Sequence, residues 1–365
     1  MSADKAKSPG VDDLREGIDC IDRELVELLN RRIELAEQIG ELKRKEGASI
    51  YVPSREEQVF ARLREYNRGL VSDNTLERIF REIISASIAR EKALRIAFLG
   101  PKATFTHQAA MKNFGSSAEF IPFPTIGDVF RAVERGDGDY GVVPIENSTE
   151  GAVFHSLDTF VESNLKIVAQ IYLPIEHCLI SDGTLDTVEC IYSKDQALGQ
   201  CREGLRAVLP QARLVEIDST AQAIQRVAGN PREAAVGSAL AAELYGVGIL
   251  KRGIQDRNDN TTRFLVLGEQ LPQRDPGCRY RSSLMVSIPD QVGALKVVVD
   301  HFSERGINLV KIESRPSRQR AWDYLFFIDF LGHGDEPRIK ELLEQLKSSC
   351  PLVKWLGSYP ETKTS

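Results

Sequence analysis

Apolar positions change their spacing along the chain, and each change marks a different kind of structure. From residue 11 to 94 they recur at helical intervals. Leu14, Ile18, Ile21, Leu25, Leu28, Leu35, Ile39 and Leu42 alternate four-residue and three-residue steps, the seam of one helix about 45 Å long. Shorter helices are expected near 53–68 and 73–92. Two short neighbours cannot bury so long a stripe, so the pattern predicts pairing with a second copy. From Leu94 the grammar becomes short β-rich runs: RIAFLG, AEFIPF, DYGVVPIEN, LKIVAQIYL, TVECIYS, ARLVEI, EAAVGS and TRFLVLG. Helices near 105–113, 125–135, 196–208 and 219–229 separate them, an α/β pattern long enough for one large or two small lobes.

The segment LPQRDPGCR, residues 271–279, reads as a linker. Beyond it come strand 281–288, helix 293–305, strand 307–315, strand 321–330, helix 336–347 and strand 352–359. That order is βαββαβ, the ferredoxin-like α+β arrangement. The expected organisation is a disordered N-terminus (1–10), a helical unit (11–94), an α/β unit (95–270), a linker (271–280) and a βαββαβ unit (281–360).

Composition changes the picture little. The chain is 42% hydrophobic and 27% charged, as in globular proteins, and 47 basic against 53 acidic side chains leave −6. This mild, evenly spread charge argues against a nucleic-acid or membrane surface, so any anion must be met locally. The six cysteines form no C-x-x-C and the five histidines no H-x-x-x-H, which argues against structural zinc. A polar start and the lack of a long apolar run point to a cytoplasmic protein.

One position breaks the helical seam. Counting on from Leu28 reaches Arg32, a permanent charge where a leucine belongs. An arginine there needs an anion, either a glutamate of the chain or a ligand. Arg15 and Lys43 lie along nearly the same face, which favours the ligand. Ser54 can cap the second helix and place Arg55 and Glu56 in its first turn. Ile83, Ser87 and Glu91 stack at i, i+4 and i+8, putting a hydroxyl and a carboxyl on an apolar face.

Residues 11–94 thereby resemble the all-helical chorismate mutases, intertwined dimers of three-helix chains. The resemblance implies that Arg15 reaches into the partner subunit's site, that Arg32 and Lys43 hold a carboxylate and the ether oxygen, and that Arg55 adds charge. It also implies that Glu56 accepts from the substrate hydroxyl and that Ser87 donates nearby. Val52 stands where the family often has aspartate, and Glu91 where it commonly has glutamine. Only a protonated Glu91 could donate to the ether oxygen. Burial and a dianionic substrate would both favour that form.

In the α/β segment, RIAFLGPKATFTHQAA reads as strand, glycine turn and a helix starting near Thr104 to Thr106. Loop amides and hydroxyls there could meet an anion, but neither G-x-G-x-x-G nor a P-loop is present. DYGVVPIENSTEGAV ends a buried strand in Glu146, Asn147, Ser148 and Thr149, at the edge where α/β sheets place ligands; plain helix capping is the alternative. Together with TRF at 262–264 these motifs resemble prephenate dehydratase across residues 95–270. The family fold is two α/β lobes around a cleft, like periplasmic binding proteins. The resemblance implies Thr262 as the principal catalytic group, Arg263 for a substrate carboxylate, Phe264 for positioning, and Asn147 and Gln200 in the cleft. Thr106, His107, Ser148 and Thr149 are further candidates, His107 being the rival proton donor by its ordinary pKa.

In the last unit, Gly293, Ala294 and Leu295 open a helix with free backbone N–H groups, and a strand ends in Glu313, Ser314, Arg315 and Pro316. These resemble the GAL and ESRP elements of ACT domains that bind phenylalanine between paired domains; Lys296 departs from the apolar residue often found there. A plain dimerisation sandwich is the alternative. The resemblances imply a bifunctional enzyme turning chorismate into prephenate and then phenylpyruvate, inhibited by L-phenylalanine, without cofactor or metal, as a homodimer or homotetramer. The rivals are a monofunctional dehydratase whose helices only dimerise and a non-enzymatic amino-acid-binding regulator.

Overall fold

The computed structural model describes residues 10–46, 49–316 and 324–362. The expected disorder at 1–9 and the first residues of the strand expected at 321–330 lie outside the described residues. Three helices open the chain: α1 (Val11–Glu46), α2 (Pro53–Tyr66) and α3 (Asp73–Glu91). Asp12 and Asp13 in the first turn of α1 and Lys43, Arg44 and Lys45 in its last complement the helix dipole. Ser72 caps α3 by accepting from Thr75 N. At α2 the expected cap is corrected: Val52 holds the cap position, Pro53 the first turn, and Ser54 lies inside the helix. Proline's fixed φ and missing N–H suit that first position. The seam of α1 packs on α3 only in part, and each of its eight named apolar residues is at least half exposed.

The first α/β lobe contains β1 (Arg95–Leu99), α4 (Phe105–Phe114), β2 (Glu119–Phe123), α5 (Ile126–Glu134), β3 (Tyr140–Asn147), β4 (Gly151–Ala152), α6 (Phe154–Glu162) and β5 (Lys166–Pro174). The chain then crosses to a second lobe: β6 (Cys178–Ile180), β7 (Cys190–Ser193), α7 (Asp195–Gln200), α8 (Arg202–Val208), β8 (Arg213–Glu216), α9 (Thr220–Val227), β9 (Glu233–Gly237), α10 (Ala239–Tyr245) and β10 (Ile249–Lys251). It returns to the first lobe as β11 (Thr261–Gly268). The sheets run β2-β1-β3-β11-β5, with β4 on β3, and β10-β6-β9-β7-β8. The helix expected at 196–208 is broken at Cys201, and the two- and three-residue strands β4, β6 and β10 are too short to show a period.

Strand β11 inserts antiparallel between β3 and β5, so that Thr262 lies opposite Asn147 and Arg263 opposite Glu146. Alternate residues of these strands serve different cores. Phe98, Val142, Phe264 and Val266 pack on one face, whereas Val143, Leu265 and Leu267 pack on the other, in a core shared with the C-terminal unit.

That unit is β12 (Tyr280–Ile288), α11 (Ala294–Ser303), β13 (Leu309–Pro316), β14 (Tyr324–Leu331), α12 (Pro337–Ser349) and β15 (Leu352–Pro360). It forms an antiparallel sheet ordered β13-β14-β12-β15. Strand β15 lies against β5, and Met285, Leu325, Phe327, Leu356 and Tyr359 join the core of the first α/β lobe. Gly357 makes the approach possible: a Cβ there would sit 2.3 Å from Ile167 O.

Candidate active sites

In the helical unit, Arg32 Nη1 donates to Ser87 Oγ at 2.9 Å, and Ser87 in turn donates to Ile83 O one turn back. The Ser87 hydrogen is therefore spent on its own helix, and its lone pair faces the arginine. One turn further, the Glu91 carboxyl lies against the backbone of Gly40, where a Cβ would come within 2.4 Å of Glu91 Cδ. Burial raises the Glu91 pKa, and Lys43 and Arg44 offset this only in part. Its Oε2 is buried without a hydrogen-bond partner among the described residues. Lys43 Nζ donates to Ile50 O at 3.3 Å.

Other expected members of this site lie elsewhere. Arg15 pairs with Asp12 on an exposed stretch of α1, seventeen residues or about 25 Å along the axis from Arg32. Arg55 is exposed and donates to Gln58. Glu56 is buried against Arg81, at 2.5 Å, and Arg81 also donates to Asn113 O of α4. Burial pushes the Glu56 carboxyl up to about 7, the guanidinium only partly offsetting it. Residues 81 and 85 occupy the side of α3 opposite 83, 87 and 91, so within one chain Glu56 serves the seam to the α/β unit.

In the α/β unit, the first residues of β11 and the last of β3 meet at the crossing between lobes. Asn147 Nδ2 donates to Thr262 Oγ1 at 2.8 Å and to Asn260 Oδ1 at 2.7 Å. Its Oδ1 accepts from Thr149 N and Glu150 N, each at 3.0 Å, and from the Thr149 hydroxyl. Ser148 Oγ accepts from Thr261 N and donates to Asp259 O, stapling the two strand ends. From the second lobe, Gln200 Oε1 accepts from Asn260 Nδ2 at 3.2 Å, and Gln200 Nε2 donates to Glu150 Oε1 at 3.0 Å. His177, on the other crossing, lies 3.0 Å from the same Gln200 oxygen. Among the described residues no acceptor takes the Thr262 hydrogen, so it is available to a ligand.

His107 has a different task. Its Nδ1 accepts from Ala103 N at 3.1 Å and its ring stacks on Phe98 at 4.6 Å. Ala103 has φ 70°, costly for a residue with a Cβ, and its carbonyl accepts from Ser238 of the second lobe. Burial, with a lesser contribution from Lys102, lowers the His107 pKa to about 4. The ring is neutral at pH 7 and spends its lone pair on the turn. Thr106 is buried beside it, and Phe264 is a core residue of the sheet.

Arg263 is a correction to the expected carboxylate contact. Its side chain leaves the sheet on the other face and is buried. Nε donates to Gln170 Oε1, Nη1 to Asp329 Oδ2 and Nη2 to the Tyr359 hydroxyl. In the C-terminal unit, Gly293 has φ 85° at the start of α11, and Val292, Leu295, Val310 and Ile312 are exposed. Arg315 grips Asp158 of α6 with Nε and Nη2 at 2.9–3.1 Å and lies 4.2 Å over the Phe154 ring. Glu313 is within 3.9 Å of Lys311, which pairs with Glu146 at 3.0 Å. Lys296 is exposed and pairs with Asp300.

Residues 14–92 match the family chorismate mutase type II, residues 96–271 prephenate dehydratase, and residues 282–348 the ACT domain. The chain is 45% identical over 354 residues to the bifunctional chorismate mutase/prephenate dehydratase of Aquifex aeolicus, spanning 96% of this chain and 97% of that one. The chain belongs to the bifunctional chorismate mutase/prephenate dehydratase family. The Pseudomonas aeruginosa protein of that name is 40% identical over 355 residues, 95% of this chain and 97% of its own. Prephenate dehydratase from Arthrobacter aurescens, solved in complex with L-Phe, matches with TM-score 0.68 at 34% identity, over 73% of this chain and 90% of that one. The Staphylococcus aureus prephenate dehydratase matches with TM-score 0.63 at 28% identity, over 73% and 100%.

The chain thus carries both activities and an ACT domain, and both rival readings of its sequence give way. The structure brings the expected Thr262, Asn147 and Gln200 together and adds Asn260, His177 and Glu150, which the sequence did not single out. Asn260, two residues before Thr262 in DNTTRF, carried a signal in its spacing. His177 carried none.

Proposed function

We propose that the mutase reaction runs over the surface made by Arg32, Lys43 and Glu91, completed by Arg15 of a second copy. The rearrangement of chorismate is unimolecular and needs no covalent group. The site has to clamp one conformer and stabilise charge on the ether oxygen. Arg32 and Lys43 supply positive charge, and a protonated Glu91 donates to the ether oxygen. The exposed seam of α1 supports a dimer, since a second helix covering it would also bring in the Arg15 that lies too far away in its own chain. Arg55 and Glu56 join the site only if α2 moves when the seam is covered.

The dehydratase reaction runs in the cleft between the α/β lobes, which have the two-lobed layout of periplasmic binding proteins. Prephenate loses its ring carboxylate as CO₂ and its ring hydroxyl as hydroxide, the electron pair of the broken C–C bond completing the aromatic ring. One proton delivered to the departing hydroxide makes water. Thr262 donates a hydrogen bond to that hydroxyl and relays to it a proton taken from solvent, so that one proton is consumed per turnover. The free Thr262 hydrogen beside Asn147 is the observation that carries this reading. Gln200, Ser148 and Thr149 shape the cleft. The exposed face of α11 and β13 binds L-phenylalanine between paired ACT domains, in a cytoplasmic enzyme that uses no cofactor. A single assay tests the whole: supply chorismate and follow its loss, prephenate and phenylpyruvate, with and without L-phenylalanine. Failure to form phenylpyruvate, or indifference to phenylalanine, would refute the corresponding part.

A further inference from the structure

The amides at the dehydratase site form a closed ring whose direction is set by the backbone. Asn147 Oδ1 accepts two main-chain N–H groups, from Thr149 and Glu150, so its orientation is fixed. Its Nδ2 must then donate, to Thr262 and to Asn260 Oδ1. Asn260 therefore presents Nδ2 to Gln200 Oε1, and Gln200 presents Nε2 to the Glu150 carboxylate. Glu150 N closes the ring on Asn147. Every donor points the same way round, which strengthens each bond.

Two consequences follow. Thr262 Oγ1 is an acceptor toward Asn147, so its hydrogen is kept out of the ring. His177 Nε2 faces an oxygen already fixed as an acceptor, so Nε2 carries the proton and Nδ1 is a bare lone pair. That lone pair is buried without a partner among the described residues, and burial lowers the ring's pKa. Asn260 and His177 are 4% and 2% exposed and sit on the two crossings between lobes.

We infer that Asn260 and His177 are positioning residues of the dehydratase site: both meet Gln200 Oε1 and so lock the Gln200 amide in one orientation beside Thr262, whose hydrogen the backbone-fixed Asn147 leaves for the substrate's leaving hydroxyl. The inference rests on Thr262 as the donor, and it concerns how the amide beside that donor is held. Asn260→Asp replaces the donor toward Gln200 with an acceptor. Gln200 then turns over to donate to the new carboxylate, giving up its bond to Glu150, and His177 Nε2 meets an N–H₂ group and becomes the acceptor.

The test uses the full-length enzyme with ¹⁵N-histidine. The expected wild-type signal for His177, assigned through His177→Leu, is the neutral Nε2–H tautomer. Asn260→Asp is expected to shift it to Nδ1–H and to lower dehydratase kcat about a hundredfold with KM little changed, at the lower end of the range of proton-transfer effects. The mutase rate of the same sample reports folding. His177→Gln, whose amide can replace the Nε2 donor, is expected to recover most of the kcat that His177→Leu loses. A wild-type His177 that is Nδ1–H or charged, an unchanged kcat in Asn260→Asp, or equal losses in the Leu and Gln variants would overturn the inference. Retained activity in Thr262→Ala would instead overturn the assignment of the donor, so the two failures are distinguishable.

Discussion

Arg263 Nη1 donates to Asp329 Oδ2 across 2.6 Å, joining the strand that carries Thr262 to the sheet of the ACT domain. The contact is not isolated. Ser283 also donates to Asp329 and shares a hydrogen bond with the Tyr359 hydroxyl, which accepts from Arg263. Although burial opposes its charge, the Arg263 guanidinium and the Ser283 hydroxyl hold the Asp329 carboxyl below the usual carboxylate range. The residue after Thr262 thus belongs electrostatically to another domain. Together with Lys311–Glu146 and Arg315–Asp158 it makes the ACT sheet a wall of the dehydratase lobe.

Removing one partner of this buried pair leaves an uncompensated charge. Asp329→Asn is expected to cost about 3–5 kcal/mol of stability in denaturant unfolding. The loss combined with Arg263→Gln should fall well short of the sum. Because the Asp329 pKa is depressed, its stabilisation is complete above the ordinary carboxylate pKa and is lost as pH falls through the depressed value. The Asn variant should lose that acid-side slope.

Thr262→Ala is expected to lower dehydratase kcat by about 10² or more while chorismate consumption is unchanged. His107→Ala should instead lower thermal stability, through the Ala103 turn, with a smaller loss of turnover. A crippled His107→Ala beside a mild Thr262→Ala in steady-state assays would reverse these roles.

Gly40→Ala should push the Glu91 carboxyl off α1, since the added methyl and Cδ cannot both occupy the same space. Mutase rate is expected to fall at least tenfold, about 1.4 kcal/mol in barrier, with dehydratase rate intact.

Mutase activity should decline as pH rises. The Glu91 pKa is raised, chiefly by burial, and the donating carboxylic acid disappears as pH climbs through it. Glu91→Gln keeps a donor at all pH values and should flatten the profile. A wild-type rate constant from mildly acidic to alkaline pH would refute protonated Glu91 as the donor.

Asp158→Asn weakens the grip of α6 on Arg315, beside the proposed phenylalanine face. Basal dehydratase rate should be unchanged. The phenylalanine concentration for half-inhibition should rise several-fold, while binding measured by calorimetry persists. Equal loss of binding and inhibition would place Arg315 in the effector site itself.

The sequence by itself determined the parts whose signal is local. Four-and-three spacing marked the long helix, short β-rich runs the strands, and Arg32 in a leucine position marked a candidate site because a charge in an apolar seam calls for an anion, from the chain or from a ligand. The PIEN and TRF segments named Asn147 and Thr262. Only the tertiary structure decided which way these groups face and what they meet. Strand alternation sends Arg263 away from Thr262, but only the docking of β14 and β15 supplies Asp329 and Tyr359, 66 and 96 residues on. Glu56 found Arg81 instead of a place beside Ser87 and Glu91, because rows on opposite faces of α3 serve different neighbours. The ring through Asn260, Gln200 and Glu150 exists because two chain crossings bring the lobes together. Hydrogen-bond direction is a property of that closed circuit, and no stretch of sequence contains it.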